Sequence, residues 1–396
     1  MKERIKNNVY WIGKIDWELD KFHGDDYSIS NGSSQNAYLI EEEKTILVDT
    51  VWAPHKDEFI ANLEKVVDLD KLDAIIVQHG EVDHSGSLPL LMEKRPDLPI
   101  YCTANGVKSL VGQYHHPEWD FRVVKTGDSL NVGPGKDLVF VEMTMLHWPD
   151  SMASFLTGDN ILFSNDAFGQ HFAVGELYND KADQCLLYKE AIKYYANILT
   201  PFQAIAKKKL QEVIGLNLPI EMIAPSHGVI WRDNPLQIVE KYVEWSDQYK
   251  EDQITIAYDT MWDGTKQLAH ALEAHLRDLA PDTVIKVFNI ATTDKNEVMT
   301  EVFKSKAIAV GSPTVSNDIL SSVGGWLYFL KELKFKGKKA AAFGCYGWSG
   351  ESVKTLQKLL GEAGFEVLEA SHRVNWNPKD EDFLQMREVA KALIAD

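Results

Sequence analysis

The chain has 396 residues and a net charge of −18, which argues against a nucleic-acid binder because such a protein needs cationic side chains to displace counterions from phosphate. Hydrophobic residues at 45% and charged residues at 25% are ordinary for a globular protein, and the length suits two domains with separate cores. The three cysteines, Cys102, Cys185 and Cys345, lie far apart with no CxxC pair, so neither a disulfide framework nor a four-cysteine metal centre is available within the chain.

Residues 1–11 contain no apolar signal core, and no stretch reaches membrane-spanning length. The expectation is a soluble, cytoplasmic protein with no membrane contact. In chain order, short β-type apolar runs fall at 74–77, 138–141, 161–163 and 222–224, and helix-like segments at 57–67 and 183–199. A polar loop rich in histidine or carboxylate follows each run. Residues 235–250 read as an amphipathic helix, and the charged stretch 248–252 then precedes a new strand. From there strands at 254–258, 284–289, 307–310, 339–343 and near 365–368 alternate with helices such as 265–279 and 352–363. This alternation predicts a doubly wound parallel sheet. The boundary falls near residue 250, dividing the chain into 1–250 and 251–396.

The sharpest feature is His79-Gly80-Glu81-Val82-Asp83-His84, directly after the run 74–77. Four ligand-type side chains in six residues surround a metal only if the chain turns, and Gly80 and Gly86 help it turn. His147, Asp166 and His227 follow the next three runs in the same way. The seven candidates are His79, Glu81, Asp83, His84, His147, Asp166 and His227. That number suits two metals, with Asp166 as the bridging carboxylate. Packing alone gives no reason to set so many costly polar groups beside buried strands. His55, His115, His116, His270, His275 and His372 stand outside this pattern and read as satisfied or surface histidines.

In the second part, three loops follow strands in an order that suits a flavin, because ligands of doubly wound sheets bind at the carboxyl ends of strands. The first, Thr260, Met261, Trp262, Asp263, Gly264 and Thr265, precedes a helix, where hydroxyls and amides suit a phosphate. The second supplies Pro313, Thr314, Val315 and Asn317. The third supplies Tyr346, Gly347, Trp348, Ser349 and Gly350.

The HxExDH motif resembles the HxHxDH of the metallo-β-lactamase superfamily, with Glu81 in place of a histidine. A carboxylate is a harder ligand than imidazole and favours iron over zinc. This variation, the strings around His147, Asp166 and His227, and the flavodoxin-like loops are similar to the flavodiiron family over almost the whole chain. The resemblance implies an α/β protein in which a metallo-β-lactamase-like αββα sandwich precedes a flavodoxin-like sheet. It assigns His79, Glu81 and His147 to one iron, and Asp83, His84 and His227 to the other, with Asp166 between them. It implies FMN in the second domain, although Asp263 stands where glycine is usual in flavodoxin loops. It also places His23 and Tyr195, and more weakly His171, in the substrate pocket as donors of hydrogen bonds or protons. The implied reaction is reduction of O2 to water or of NO to N2O. Electrons come from outside, from rubredoxin or a reduced deazaflavin, and the assembly is a head-to-tail homodimer or a dimer of dimers. The rival readings are a dizinc hydrolase with a regulatory flavin module and a flavodoxin-like electron carrier whose first domain is only structural.

Overall fold

The computed structural model describes residues 2–395. The chain forms two compact units. One runs up to Tyr194 and resumes from Phe202 to Glu244; the other comprises Tyr195–Pro201 and the chain from Trp245 onward.

The first unit is a sandwich of two sheets. One sheet has seven strands, in spatial order Glu3–Lys6, Val9–Trp11, Tyr38–Glu41, Thr45–Val48, Leu72–Ile76, Ile100–Cys102 and Phe121–Val123. The other has five, Ser129–Gly133, Lys136–Glu142, Met152–Leu156, Ile161–Asn165 and Met222–Pro225. Successive strand residues point to opposite faces, so the central strands of the larger sheet serve two cores. Tyr38, Ile40, Val48 and Ile76 meet Phe140, Met152, Phe163 and Ala224 from the smaller sheet. Leu39, Leu47 and Ile75 face the other way, onto Phe59, Ile60 and Leu63 of the helix Lys56–Val66.

The second unit has one parallel sheet, ordered Val284–Asn289, Glu251–Tyr258, Ser305–Gly311, Lys339–Tyr346 and Glu366–Val367. The first strand of this unit lies inside the second, so the order reverses beside Glu251–Tyr258, and that switch opens a crevice at the carboxyl ends. The strand near 365–368 is short, and a further strand, His372–Asn375, also pairs with Lys339–Tyr346. It escapes sequence reading because only Val374 of its four residues is buried.

Two helices end earlier than their sequence pattern. Residues 235–250 give only Leu236–Trp245, and Gln248 adopts a left-handed φ of 50° that no α-helix can contain. Residues 183–199 give Gln184–Tyr194 and then a widened turn, Tyr195–Leu199. Pro201 explains the change, since its ring excludes regular helical pairing with the preceding turn. The freed Ala196 carbonyl accepts from the Thr200 hydroxyl at 2.8 Å.

Candidate metal centre and flavin cleft

The sandwich brings the seven candidate ligands together from four loops at strand ends. His79 lies just beyond Leu72–Ile76, and Asp83 and His84 occupy the single helical turn Val82–Ser85. His147 is on the loop before Met152–Leu156, Asp166 follows Ile161–Asn165, and His227 follows Met222–Pro225. Gly228, at φ 71°, carries the chain sharply away from His227, and a Cβ there would strike Gln170.

The side chains form two groups, His79, Glu81, His147 and Asp166 in one and Asp83, His84 and His227 in the other, and within each the ligand atoms lie within 4.8 Å of one another. Asp166 faces both. Its Oδ2 is 3.3 Å from His147 Nε2 and 3.7 Å from His79 Nε2, while Oδ1 is 3.0 Å from His84 Nε2 and 3.6 Å from His227 Nε2. All four oxygens of Asp83 and Asp166 are buried without a well-aligned donor, and the His84 and His147 rings lie 3.0 and 3.3 Å from Asp166. Buried carboxylate oxygens without donors are costly, and convergent lone pairs from seven side chains fit two cations.

The surrounding residues fix the imidazoles. His227 Nδ1 lies 2.8 Å from the Ser34 carbonyl, which can only accept, so Nδ1 carries the proton and Nε2 offers its lone pair. His79 Nδ1 is 3.1 Å from Asp150 Oδ1, and Asp150 Oδ2 accepts from the Gly80 amide at 2.7 Å. Burial opposes charge on His84, but Asp83 and Asp166 overrule it and hold the ring at about 9. Burial likewise opposes ionisation of Asp166, and the imidazoles of His84, His147 and His79 overrule it, holding the carboxyl well below its usual range. The cluster therefore keeps its central carboxylate ionised, as a metal ligand must be.

His23, at φ 53°, places Nε2 3.2 Å from Glu81 Oε1. His171 is fully buried, with Nδ1 2.8 Å from the Ser33 hydroxyl and Nε2 without a partner. Burial and the neighbouring His227 and His23 hold it well below its ordinary value, so it stays neutral. The tyrosine of this pocket is Tyr194, not the Tyr195 expected from sequence. Tyr194 packs 5.3 Å from His171 ring to ring, and its hydroxyl is held well above its usual value by burial and then by Asp166. Tyr195 packs on Trp245 and Phe303 in the second unit. Adjacent helical residues point about 100° apart, so only one of the pair can face His171.

In the second unit a cleft of about 390 Å³ opens at the strand ends. Thr260, Met261, Trp262, Gly264, Thr265, Pro313, Thr314, Val315, Asn317, Tyr346, Gly347, Trp348 and Ser349 line it. Asp263 and Gly350, expected there, do not. Asp263 turns outward at φ 60°, with its carboxylate 67% exposed and 3.6 Å from Lys266. Gly350, at φ 80°, lies against the Tyr346 ring. Ser316 and Cys345, from the second and third of the expected loops, also line the cleft, as do Trp376 and Asn377, which were not anticipated because the strand His372–Asn375 went unrecognised. The hydroxyls of Thr260 and Thr265 are buried without a hydrogen-bond partner, although the Cys345 thiol lies beside Thr265. They sit where the 16-residue helix Gly264–Leu279 begins, and Asp263 does not cap it. Orphaned hydroxyls, free amides at a helix start and aromatic walls fit the phosphate and ring of FMN.

Fold and sites together define a two-domain oxidoreductase class, a metallo-β-lactamase-like dimetal unit followed by a flavodoxin-like unit. Comparison with known proteins agrees. The ODP family beta lactamase model matches residues 33–228, and the flavodoxin model matches residues 256–388. The chain is 50% identical to the anaerobic nitric oxide reductase flavorubredoxin of Vibrio vulnificus over 388 residues, covering 98% of this chain and 78% of that protein. The rubredoxin oxygen:oxidoreductase from Desulfovibrio gigas superposes with a TM-score of 0.96 at 36% identity, covering 99% of this chain and 98% of that one. The flavodiiron protein from Giardia intestinalis gives 0.94 at 30% identity, covering 99% and 96%. The chain belongs to the flavodiiron protein family.

Proposed function

We propose that this protein reduces O2 to water, NO to N2O, or both, at a non-haem diiron site, with electrons relayed through FMN from an external donor. The unit that ends at Glu244 would carry the diiron site and the unit from Trp245 onward FMN, a division a few residues before the expected boundary at 250. The placement of Asp166, with one oxygen toward each ligand group, is the observation that carries this reading. His79, Glu81 and His147 would hold one iron and Asp83, His84 and His227 the other, with Asp166 offering an oxygen to each. Bound iron supplies positions where a diatomic substrate binds and is reduced, and bound FMN supplies electrons in pairs. Four electrons and four protons convert O2 to two waters; two of each convert two NO to N2O and one water.

The chain's own groups orient and protonate. Asp150 and the Ser34 carbonyl fix His79 and His227 with Nε2 toward the cluster. His23, beside Glu81, and the neutral hydroxyl of Tyr194 would donate hydrogen bonds or protons to reduced oxygen atoms. Phe22, whose ring lies 4.8 Å from His171, adds an apolar surface that limits water.

The donor is a small redox partner such as rubredoxin or a reduced deazaflavin. The assembly is a head-to-tail homodimer. Met261, Trp262 and Trp348 are 50%, 82% and 86% exposed at the cleft rim, an apolar concentration suited to burial by a second copy. Among the described residues no helix is long and apolar enough to cross a membrane, and the three cysteines are unpaired. Free thiols accord with a cytoplasmic setting.

The test is metal and flavin analysis of anaerobically purified protein, followed by turnover with O2 and with NO. Two irons and one FMN per chain with turnover of either gas are expected. Two zincs persisting under iron-replete growth, with no gas reduction, would overturn the reading. A monomer with full turnover in solution would overturn the assembly.

A further inference from the structure

The strand His372–Asn375 ends at Trp376, a residue whose placement is costly in two ways. Its backbone is left-handed at φ 63°, a region bulky side chains avoid, and its indole is 65% exposed. The surroundings hold it there. Its amide donates to the Tyr346 carbonyl at 2.7 Å. Asn375 Nδ2 donates to the same carbonyl at 3.4 Å and to that of Gly347 at 3.3 Å. The indole lies over Gly347, where an added Cβ would meet its outer edge at 2.9 Å and push the ring aside. A strained, exposed aromatic fixed by three hydrogen bonds and seated on a glycine points to a ligand. Trp376 lines the same cleft as Trp348, on a separate loop.

We propose that Trp376 is a flavin-contacting residue, one wall of the cleft that recognises the isoalloxazine ring; this rests on the FMN reading above. The strain and exposure are then offset when the ring is covered. Because an indole face is apolar and carries no cation, its contribution goes to the ring and not to the phosphate.

The experiment is a fluorescence titration of the flavin-depleted chain with FMN and, separately, riboflavin, on the wild type and on Trp376→Phe, Trp376→Leu and Trp376→Ala. Circular dichroism checks the fold, and Trp376→Leu keeps apolar bulk over Gly347 if the alanine variant does not fold. Leucine and alanine are expected to weaken FMN and riboflavin equally, by about tenfold, and phenylalanine by less than about threefold. Unchanged affinity in the leucine and alanine variants overturns the inference, as does loss of FMN binding with riboflavin binding intact. A wild-type chain that binds neither flavin overturns the FMN reading, and this inference with it.

Discussion

The ring of Tyr194 stands 5.3 Å from that of His171, in the pocket that also holds His227. Deep burial, and after it Asp166, Asp83 and Glu81, oppose ionisation of its hydroxyl, so it stays protonated and able to donate a hydrogen bond throughout the physiological range. Tyr194→Phe is expected to lower turnover at least about tenfold, toward the range for loss of a general acid, with iron and FMN content unchanged. Tyr195→Phe should leave turnover within about twofold, because that ring packs on Trp245 and Phe303. Steady-state rates with matched metal analyses check both; equal losses would refute the assignment.

Asp150 accepts from the Gly80 amide and holds His79 Nδ1, and so acts on the metal site through two other residues. Replacing it with alanine leaves a buried amide without its acceptor and frees the imidazole to rotate. Asp150→Ala is expected to weaken iron at the His79 group by about 10- to 100-fold while the Asp83, His84 and His227 group keeps its metal. Iron per chain after dialysis against a graded chelator distinguishes a selective loss of one iron from a general collapse.

Much of this architecture is written in the residues. Candidate ligands follow short apolar strands at 72–76, 161–165 and 222–225, and the strand alternation after 250 gives a parallel sheet. What escaped has identifiable causes. The sequence Tyr194-Tyr195 does not say which ring faces the pocket, because helix phase is set by distant packing and by the widened turn before Pro201. Trp376 was hidden because its strand is polar and two-thirds of its indole is exposed, so no hydrophobic pattern marks it. Asp263 is visible in the sequence, but its outward direction depends on a left-handed φ that sequence does not show.

The buried hydroxyl of Thr260 lacks a hydrogen-bond partner and that of Thr265 has only the Cys345 thiol beside it, which suits both to the phosphate proposed for this end of the cleft. An orphaned hydroxyl lowers the stability of the free chain while improving the bound one. Thr260→Val combined with Thr265→Val is therefore expected to raise the melting temperature of flavin-free protein slightly. The same change should weaken FMN by about tenfold or more and leave riboflavin affinity nearly unchanged. Titration with both flavins is the check, and equal weakening of the two would mean the hydroxyls do not serve the phosphate.

Lys338 is 3% exposed, and its Nζ donates to the carbonyls of Tyr249, Phe303 and Ser305 at 2.8, 2.7 and 2.6 Å. Three acceptors match the three donors of an ammonium, yet burial pushes the group down from 10.5 to about 7. For a lysine depressed on folding, the unfolded chain binds more protons between these values, so stability rises with pH from about 7 to 10.5. The slope contributed by this one group cannot exceed about 1.4 kcal/mol per pH unit, and the three carbonyls reduce it by favouring the charged form. Lys338→Met removes the titrating group but leaves three buried carbonyls without donors. It should flatten the pH dependence in that window while lowering stability at pH 9 by about 1–3 kcal/mol. Urea unfolding at pH 7, 8 and 9 on both proteins measures the two effects separately. An unaltered slope would mean that the carbonyls hold the lysine charged across the whole range.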